Sequence, residues 1–258
     1  MCRACANPFD HFLSRRAALL GAGAAVLAGC ATNPETGRNQ LILVDDAQMS
    51  QLALEAWRQQ LQQTPRWNNR AQQARIEEIG GRIARAANLQ QLQWEYALFD
   101  RPDRNAFVMP GGKVGVYRGI VELAQNDDQL AAVLGHETGH VTGRHAAERY
   151  SRAVAQQGAM QVAGAATDSQ LVLGALGLGA QVGLALPFSR AQEAEADQLG
   201  VNYMHAAGYQ PREAVNFWLR MQQSGGSRPP EFLSTHPDPA NRIEALRAYI
   251  AQRGWGPA

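Results

Sequence analysis

The chain has 258 residues, 45% of them apolar and 18% charged, with a formal net charge of +1. That length can bury a sizeable core and fits one domain or a small pair, and the near-zero charge gives no electrostatic case for a nucleic-acid partner. All three cysteines, Cys2, Cys5 and Cys30, fall in the first thirty residues, so the rest has no thiol for a disulfide, a thiolate metal site or a nucleophile.

The chain opens on a segment unlike the rest. Arg15 and Arg16 precede an apolar run from Ala17 to Ala28, followed by Gly29 and Cys30. The run is too short to cross a bilayer and has the flanks of a secretory signal, so residues 1–29 read as a signal peptide. Its end, Leu27-Ala28-Gly29-Cys30, resembles a bacterial lipobox, which implies that Cys30 is diacylated and begins the mature protein. Ser14-Arg15-Arg16 with Leu19 and Leu20 also resembles a twin-arginine signal. An amphipathic helix with a chance cysteine is the plain alternative. An acyl anchor attaches a protein to a lipid bilayer, each buried methylene contributing about 0.8 kcal/mol. Residues 30–44, with "ATNPETGRNQ", are polar and turn-rich and read as a tether, leaving residues 45–258 as a single domain.

Within that domain, Met49, Leu52, Ala53, Ala56 and Trp57 recur at helical spacing, as do Ile76, Ile79 and Ile83. Two amphipathic helices are expected. From Trp94 to Tyr117 the period changes: "WEYALFD" alternates, "NAFVMP" is a short apolar run, and "GGKVGVY" follows a Pro-Gly-Gly turn. These predict a small antiparallel sheet of about three strands.

Asn126 or Asp127 can cap the next helix, with Gln129 in the capping-box position, and the apolar side of Leu130, Val133, Leu134 and Val141 carries it from about Asp127 to about Tyr150. Leu171 to Leu186 is apolar but interrupted by Gly174, Gly177, Gly179, Gln181 and Gly183. It reads as a core helix or helical hairpin rather than a membrane span, with a membrane-touching or gating flap as the rival. Helices are expected from about Ser189, from Pro211 to Gln223, and after the breaker "SGGSRPP" near the end. The fold class is α+β, predominantly helical.

His136-Glu137-Thr138-Gly139-His140 matches H-E-x-x-H. At about 100° per residue, His136 and His140 lie on one helix face and can reach one ion, while Glu137 sits at its flank, suited to work on a water rather than to ligate. His145, nine residues after His136, falls about 180° away and reads as an exposed helix histidine unless the helix breaks. A catalytic zinc takes three protein ligands and keeps an open position, so a third must come from elsewhere. His205 and His236 remain, together with Glu193, Glu195 and Asp197 in "SRAQEAEADQLG". Glu193 and Asp197 share a face and Glu195 points about 200° from Glu193. One acid can bind metal while another takes a histidine N–H; an ordinary solvated helix face is the bland alternative.

"HETGH" followed by "SRAQEAEAD", with "NPETGRNQLILV", "NAFVMPGGKVGVYRG" and "THPDPANRI", resembles metallopeptidase family forty-eight over nearly all of residues 30–258. That family includes CAAX prenyl proteases, a bacterial heat-shock membrane protease, a mitochondrial inner-membrane quality-control protease and periplasmic lipoprotein peptidases. The resemblance implies a zincin-like (gluzincin) fold and one Zn2+ per subunit. It implies that His136, His140 and Glu193 are the zinc ligands, Glu137 the general base and Asp197 the partner behind a ligand. Glu195 stands at a variable position of the family pattern and is not carried over. His236 and Arg242 match a histidine and an arginine near the cleft, with His236 donating to the tetrahedral intermediate or capping the idle zinc. The "GGKVGVY" strand is expected to be the sheet edge that receives a substrate peptide. His205 is expected to be structural.

The several membrane spans of other members are not seen, so the nearest likeness is to the short lipid-anchored members. The expected protein is a zinc metalloendopeptidase acting on unfolded or misfolded envelope proteins. Its expected place is the bacterial cell envelope, facing the periplasm, on the outer membrane more than the inner. The rivals from other classes are a lipoprotein chaperone or assembly factor on the same zinc fold, and a structural zinc protein whose site His236 closes.

Overall fold

The computed structural model describes residues 30–162, 188–224, 232–237 and 241–256. Two compact units divide the chain, Met1–Ile42 and Leu43–Ala258. In the first, β1 (Cys30–Thr32) pairs antiparallel with β2 (Asn39–Leu41). Asn33 closes the turn, its backbone carbonyl accepting from Gly37 N–H at 2.8 Å and its side chain from Glu35 N–H at 2.9 Å. The stretch read as a tether thus carries a short hairpin. The signal-peptide segment, 1–29, lies outside the described residues.

In the second unit, α1 (Asp46–Gln63) and α2 (Arg70–Ala86) follow side-chain caps at Asp45 and Asn69 and bury the residues whose spacing predicted them. The sheet comprises β3 (Glu95–Phe99), β4 (Ala106–Met109) and β5 (Lys113–Tyr117) in the order β3-β5-β4. β4 and β5 form a hairpin through Gly111 and Gly112, both at φ +81°, a left-handed conformation that glycine adopts freely. β3 runs parallel to β5 on its other side. The expected antiparallel sheet is therefore mixed, and the "GGKVGVY" strand is its centre rather than its edge.

Two observations account for this. The 100–105 connection crosses the end of β5, where Tyr117 N–H donates to Asn105 O and Gly119 N–H to Arg101 O, so the chain returns on the far side as β4. Both faces of the sheet are also covered, which suits a buried central strand without strict alternation. Tyr96, Leu98, Val114 and Val116 join the main core with Ile76, Ile83 and Leu130. On the opposite face, Trp57 packs with Phe99, Phe107 and Tyr117.

After α3 (Arg118–Leu123) comes α4 (Asp127–Thr142), buried at every position from Gln129 to His140. Asn126 caps it, its side chain accepting from Gln129 N–H, while the Gln129 side chain reaches the N–H of Gln125 rather than that of the cap. The remaining helices are α5 (His145–Val162), α6 (Arg190–Ala206), α7 (Arg212–Gln223), the single turn α8 (Phe232–Thr235) and α9 (Arg242–Gln252). Ser189 and Gln192 form a full capping box at the start of α6.

Two features position the site. First, α4 and α6 approach closely: a Cβ on Gly135 would stand 2.9 Å from Gly200 O, and one on Gly139 only 2.7 Å from Ala196 O. Small residues four apart on both helices allow this contact, which brings the faces of His136 and His140 against Glu193 and Asp197.

Second, the helix expected to run to Tyr150 ends at Thr142. Arg144 takes φ +51°, Gly143 N–H donates to Gly139 O, and a Cβ on Gly143 would collide with the His145 ring. The Arg144 guanidinium pairs with Asp46 of α1 at 2.7 Å. No described helix is long and apolar enough to cross a membrane. Leu171–Leu186 lies outside the described residues.

Candidate metal centre

Among the described residues, His136, His140, Glu193 and His236 are all buried and offer ligand atoms that lie within 4.8 Å of one another. His136 Nε2 stands 3.0 Å from His140 Nε2 and 3.3 Å from His236 Nδ1. Glu193 Oε1 is 3.0 Å from His236 Nδ1 and 3.4 Å from His140 Nε2. Ligand bonds of about 2.0–2.1 Å to a tetrahedral ion imply ligand-to-ligand edges of about 3.3 Å. The four separations, 3.0–3.4 Å, lie close to that edge.

The partners behind the ligands agree. His136 Nδ1 lies 2.8 Å from Asp197 Oδ1. A carboxylate only accepts, so Nδ1 carries a hydrogen, and Nε2, once it gives up its own proton, turns a lone pair to the centre of the group. Asp197 Oδ1 also accepts from Arg242 Nη2 at 2.6 Å, and that guanidinium lies 3.8 Å over the Trp218 ring. Arg242 thus braces Asp197 from behind His136. His236 arrives on the turn after α8, stacked on Phe232 at 4.1 Å and on Phe188 at 4.9 Å, with Phe188 N–H donating to Thr235 O.

Electrostatics point the same way. Burial disfavours charge on His136, but the Asp197 and Glu193 carboxylates outweigh it and hold its pKa up to about 9. Burial likewise opposes ionisation of Glu193, yet the charge of His236 and hydrogen bonds from both imidazoles keep it well below the usual carboxylate range. His140 is pushed well below 6.5, first by burial and then by the charges of His136, His145, His236 and Arg149. Both oxygens of buried Glu137, and Oε2 of Glu193, have no hydrogen-bond partner, an arrangement that is costly unless a cation and a water complete it. The donor set fits a metal ion.

Glu137 lies on the flank of the group, its Oε1 3.7 Å from His236 Nε2. Burial raises its pKa, opposed by the charges of His236 and His136.

One expectation is corrected here. His145 is not an exposed helix histidine: it is fully buried, with Nδ1 2.8 Å from His140 Nδ1 and Nε2 3.1 Å from Glu195 Oε2. The turn at Gly143-Arg144 resets the angular count and swings it back. Glu195, set aside as variable, is its buried partner. His205 is exposed, stacks on Trp255 at 4.3 Å, and takes no part in the cluster. Sequence reasoning missed Arg149, whose guanidinium lies 3.7 Å over Phe188, itself stacked on His140 at 3.8 Å. It also missed the Gly135/Gly139 and Ala196/Gly200 pairs, whose four-residue spacing was the available signal.

Residues 70–250, which contain every member of this cluster, match the profile of peptidase family M48. The chain belongs to that family. Mitochondrial metalloendopeptidase OMA1 of Schizosaccharomyces pombe is 38% identical over 173 residues, covering 66% of this chain and 51% of the relative. The human mitochondrial metalloendopeptidase OMA1 is 28% identical over 247 residues, covering 85% and 46%. The beta-barrel assembly-enhancing protease of Escherichia coli is 31% identical over 183 residues, covering 67% and 37%. The chain thus spans about half, or less, of the length of these M48 relatives.

Proposed function

We propose that the protein is a zinc-dependent endopeptidase, with His136, His140 and Glu193 as zinc ligands and Glu137 as general base. The observation that carries this is the buried donor set of two imidazoles, a glutamate and His236, with Glu137 beside it and no hydrogen bond to either Glu137 oxygen. Two imidazoles and one carboxylate form a donor set that suits catalytic zinc. When bound, the ion supplies Lewis acidity toward a water and the scissile carbonyl.

Glu137 accepts the proton of the attacking water and delivers it to the leaving amine. The burial that raises its pKa brings it nearer the range in which one group can serve as both base and acid. Asp197, braced by Arg242, holds the His136 ring and its tautomer. Arg242 therefore acts as a positioning residue, with its Nη1 also 3.7 Å from Glu193 Oε2. His236 turns Nδ1 to the ligand group and Nε2 to Glu137, so it stands where the attacking water must sit. There it would serve as a fourth ligand of a resting arrangement, a place it would have to give up for a water to enter. A substrate strand adds along β4, which among the described residues has a strand on one side only.

The substrates proposed are misfolded or unfolded proteins of a bacterial cell envelope, cleaved in protein quality control. The protein is held to the bilayer by acylated Cys30 and faces the periplasm. The lipobox-like end of the N-terminal segment supports the anchor, and the likeness to a metalloendopeptidase and a protease supports proteolysis.

One observation favours a second reading, a closed structural zinc site: His236 already completes the donor set. Casein hydrolysis separates the two. The endopeptidase reading expects activity that a chelator abolishes and zinc restores, and a Glu137→Gln variant that keeps zinc without cleaving. Zinc-replete wild-type protein that cleaves nothing, or a Glu137→Gln variant that cleaves normally, overturns it.

A further inference from the structure

The two histidines of the motif are not held alike. Asp197 touches His136 directly, whereas the carboxylate behind His140 acts through a second ring. We propose that Glu195 and His145 form a relay that fixes the tautomer and ring orientation of His140, making both residues positioning residues of the metal centre. This inference rests on the assignment of His136, His140 and Glu193 as metal ligands.

With His145 neutral, the hydrogen count leaves one arrangement. Glu195 Oε2 can only accept, so the Nε2 of His145, 3.1 Å away, carries a hydrogen. A neutral His145 then has a bare Nδ1, which accepts from His140 Nδ1–H across 2.8 Å. His140 Nε2 is left with a lone pair directed at His136 Nε2 and Glu193, the direction a metal ligand requires. Without the carboxylate, His145 is free to carry its hydrogen on Nδ1. That hydrogen would face His140 Nδ1, push the His140 hydrogen onto Nε2, and cap the ligand atom.

The scaffold is shaped for this relay. Arg144 in the left-handed conformation turns the chain so that α5 begins with His145 against His140. One turn on, buried Glu148 accepts from Gln192 Nε2 at 2.9 Å, fixing the start of α5 against the start of α6. Glu193, Glu195 and Asp197 thus address different groups from one helix. Glu193 joins the donor set, Asp197 reaches His136, and Glu195, on the opposite side of α6 from Glu193, meets the helix that the break redirects.

The test compares full-length wild-type protein with Glu195→Ala, Glu195→Gln and His145→Ala. Zinc affinity is measured by competition with a chromophoric chelator, below the melting temperature of each metal-free variant. Removing an outer partner of a ligand histidine weakens metal binding by about 10–100-fold. That loss is expected for Glu195→Ala and His145→Ala, with most of it recovered in Glu195→Gln, whose amide oxygen can accept from the same Nε2–H. A role limited to packing lowers the melting temperature of the metal-free protein and leaves zinc affinity within about threefold of wild type, which overturns the relay.

Should the alanine variants not fold, 15N spectra of the histidines in zinc-loaded wild-type protein decide. Hydrogens on His140 Nδ1 and His145 Nε2 support the relay, and a hydrogen on His145 Nδ1 overturns it. Wild-type protein that binds no zinc overturns the ligand assignment and the relay with it; zinc-binding wild type with unaffected variants overturns the relay alone.

Discussion

The two sides of the metal centre differ in how directly they are supported. Behind His136, one carboxylate and one guanidinium form a compact brace: Asp197 Oδ1 takes hydrogens from the imidazole at 2.8 Å and from Arg242 at 2.6 Å. Behind His140, among the described residues, a second histidine makes the contact at Nδ1 and carries it out to Glu195. The first side is built from two helices that cross at glycines. The second needs a broken helix as well. Orienting a ligand directly requires an acid on the facing helix, whereas orienting it through another ring requires the backbone to turn at one residue, Arg144.

The largest effect is expected where the two sides meet. Glu193→Ala removes the carboxylate lying 3.4 Å from His140 Nε2 and 3.5 Å from His136 Nε2. It should empty the site of zinc and cut peptidase activity by roughly 1,000-fold, about 4 kcal/mol of barrier. Stoichiometric zinc in that variant would remove Glu193 from the ligand set.

Next in size is the contrast between the sides themselves. Asp197→Ala should weaken zinc binding toward the upper end of about 10–100-fold, and more than Glu195→Ala does. It exposes the ligand ring directly and leaves buried Arg242 without its closest acceptor. Equal losses, or the reverse order, would erase the distinction drawn here.

Proton competition gives a smaller graded effect. His136 in the metal-free protein holds a proton up to about pH 9, so zinc must displace it at neutral pH. Apparent affinity should therefore rise with pH, about tenfold per unit, and level off as pH passes the His136 value. Calorimetry in buffers of different ionisation enthalpy should show close to one proton released per zinc at pH 7. No release would contradict the raised pKa.

The smallest change in free energy is expected at the helix crossing and is read as stability. In Gly139→Ala the new Cβ meets the backbone oxygen of Ala196 at 2.7 Å, so the helices must part. Overpacking of this kind costs about 1–3 kcal/mol, which should lower Tm by several degrees on the order of 2–4 °C per kcal/mol. An unchanged Tm would mean that the crossing tolerates more separation than the glycine spacing implies.

The candidate donor set and the direct brace were largely legible in the sequence. His136, His140, Glu193 and Asp197 follow from motif, helical angle and resemblance, because each angle is counted along an unbroken helix. The relayed side was not. Counting about 100° per residue through Gly143 and Arg144 sent His145 to the far side, and a non-glycine residue at φ +51° leaves no local signal strong enough to stop the count.

The same limit applies to the sheet. Three short apolar runs announced three strands, but parallel pairing of β3 with β5 depends on how residues 100–105 cross the end of β5. The glycines at 135, 139 and 200 were visible as residues, and their purpose appears only once α4 and α6 are packed.

The central claim is that two helix histidines and one distant glutamate hold a single zinc ion. X-ray absorption at the zinc edge, combined with metal analysis of wild-type and Glu193→Ala protein, tests it most directly. The prediction is one zinc per wild-type chain in a shell of nitrogen and oxygen with no sulfur, and little or none in the variant. A sulfur-containing shell, or full zinc occupancy in Glu193→Ala, would contradict it.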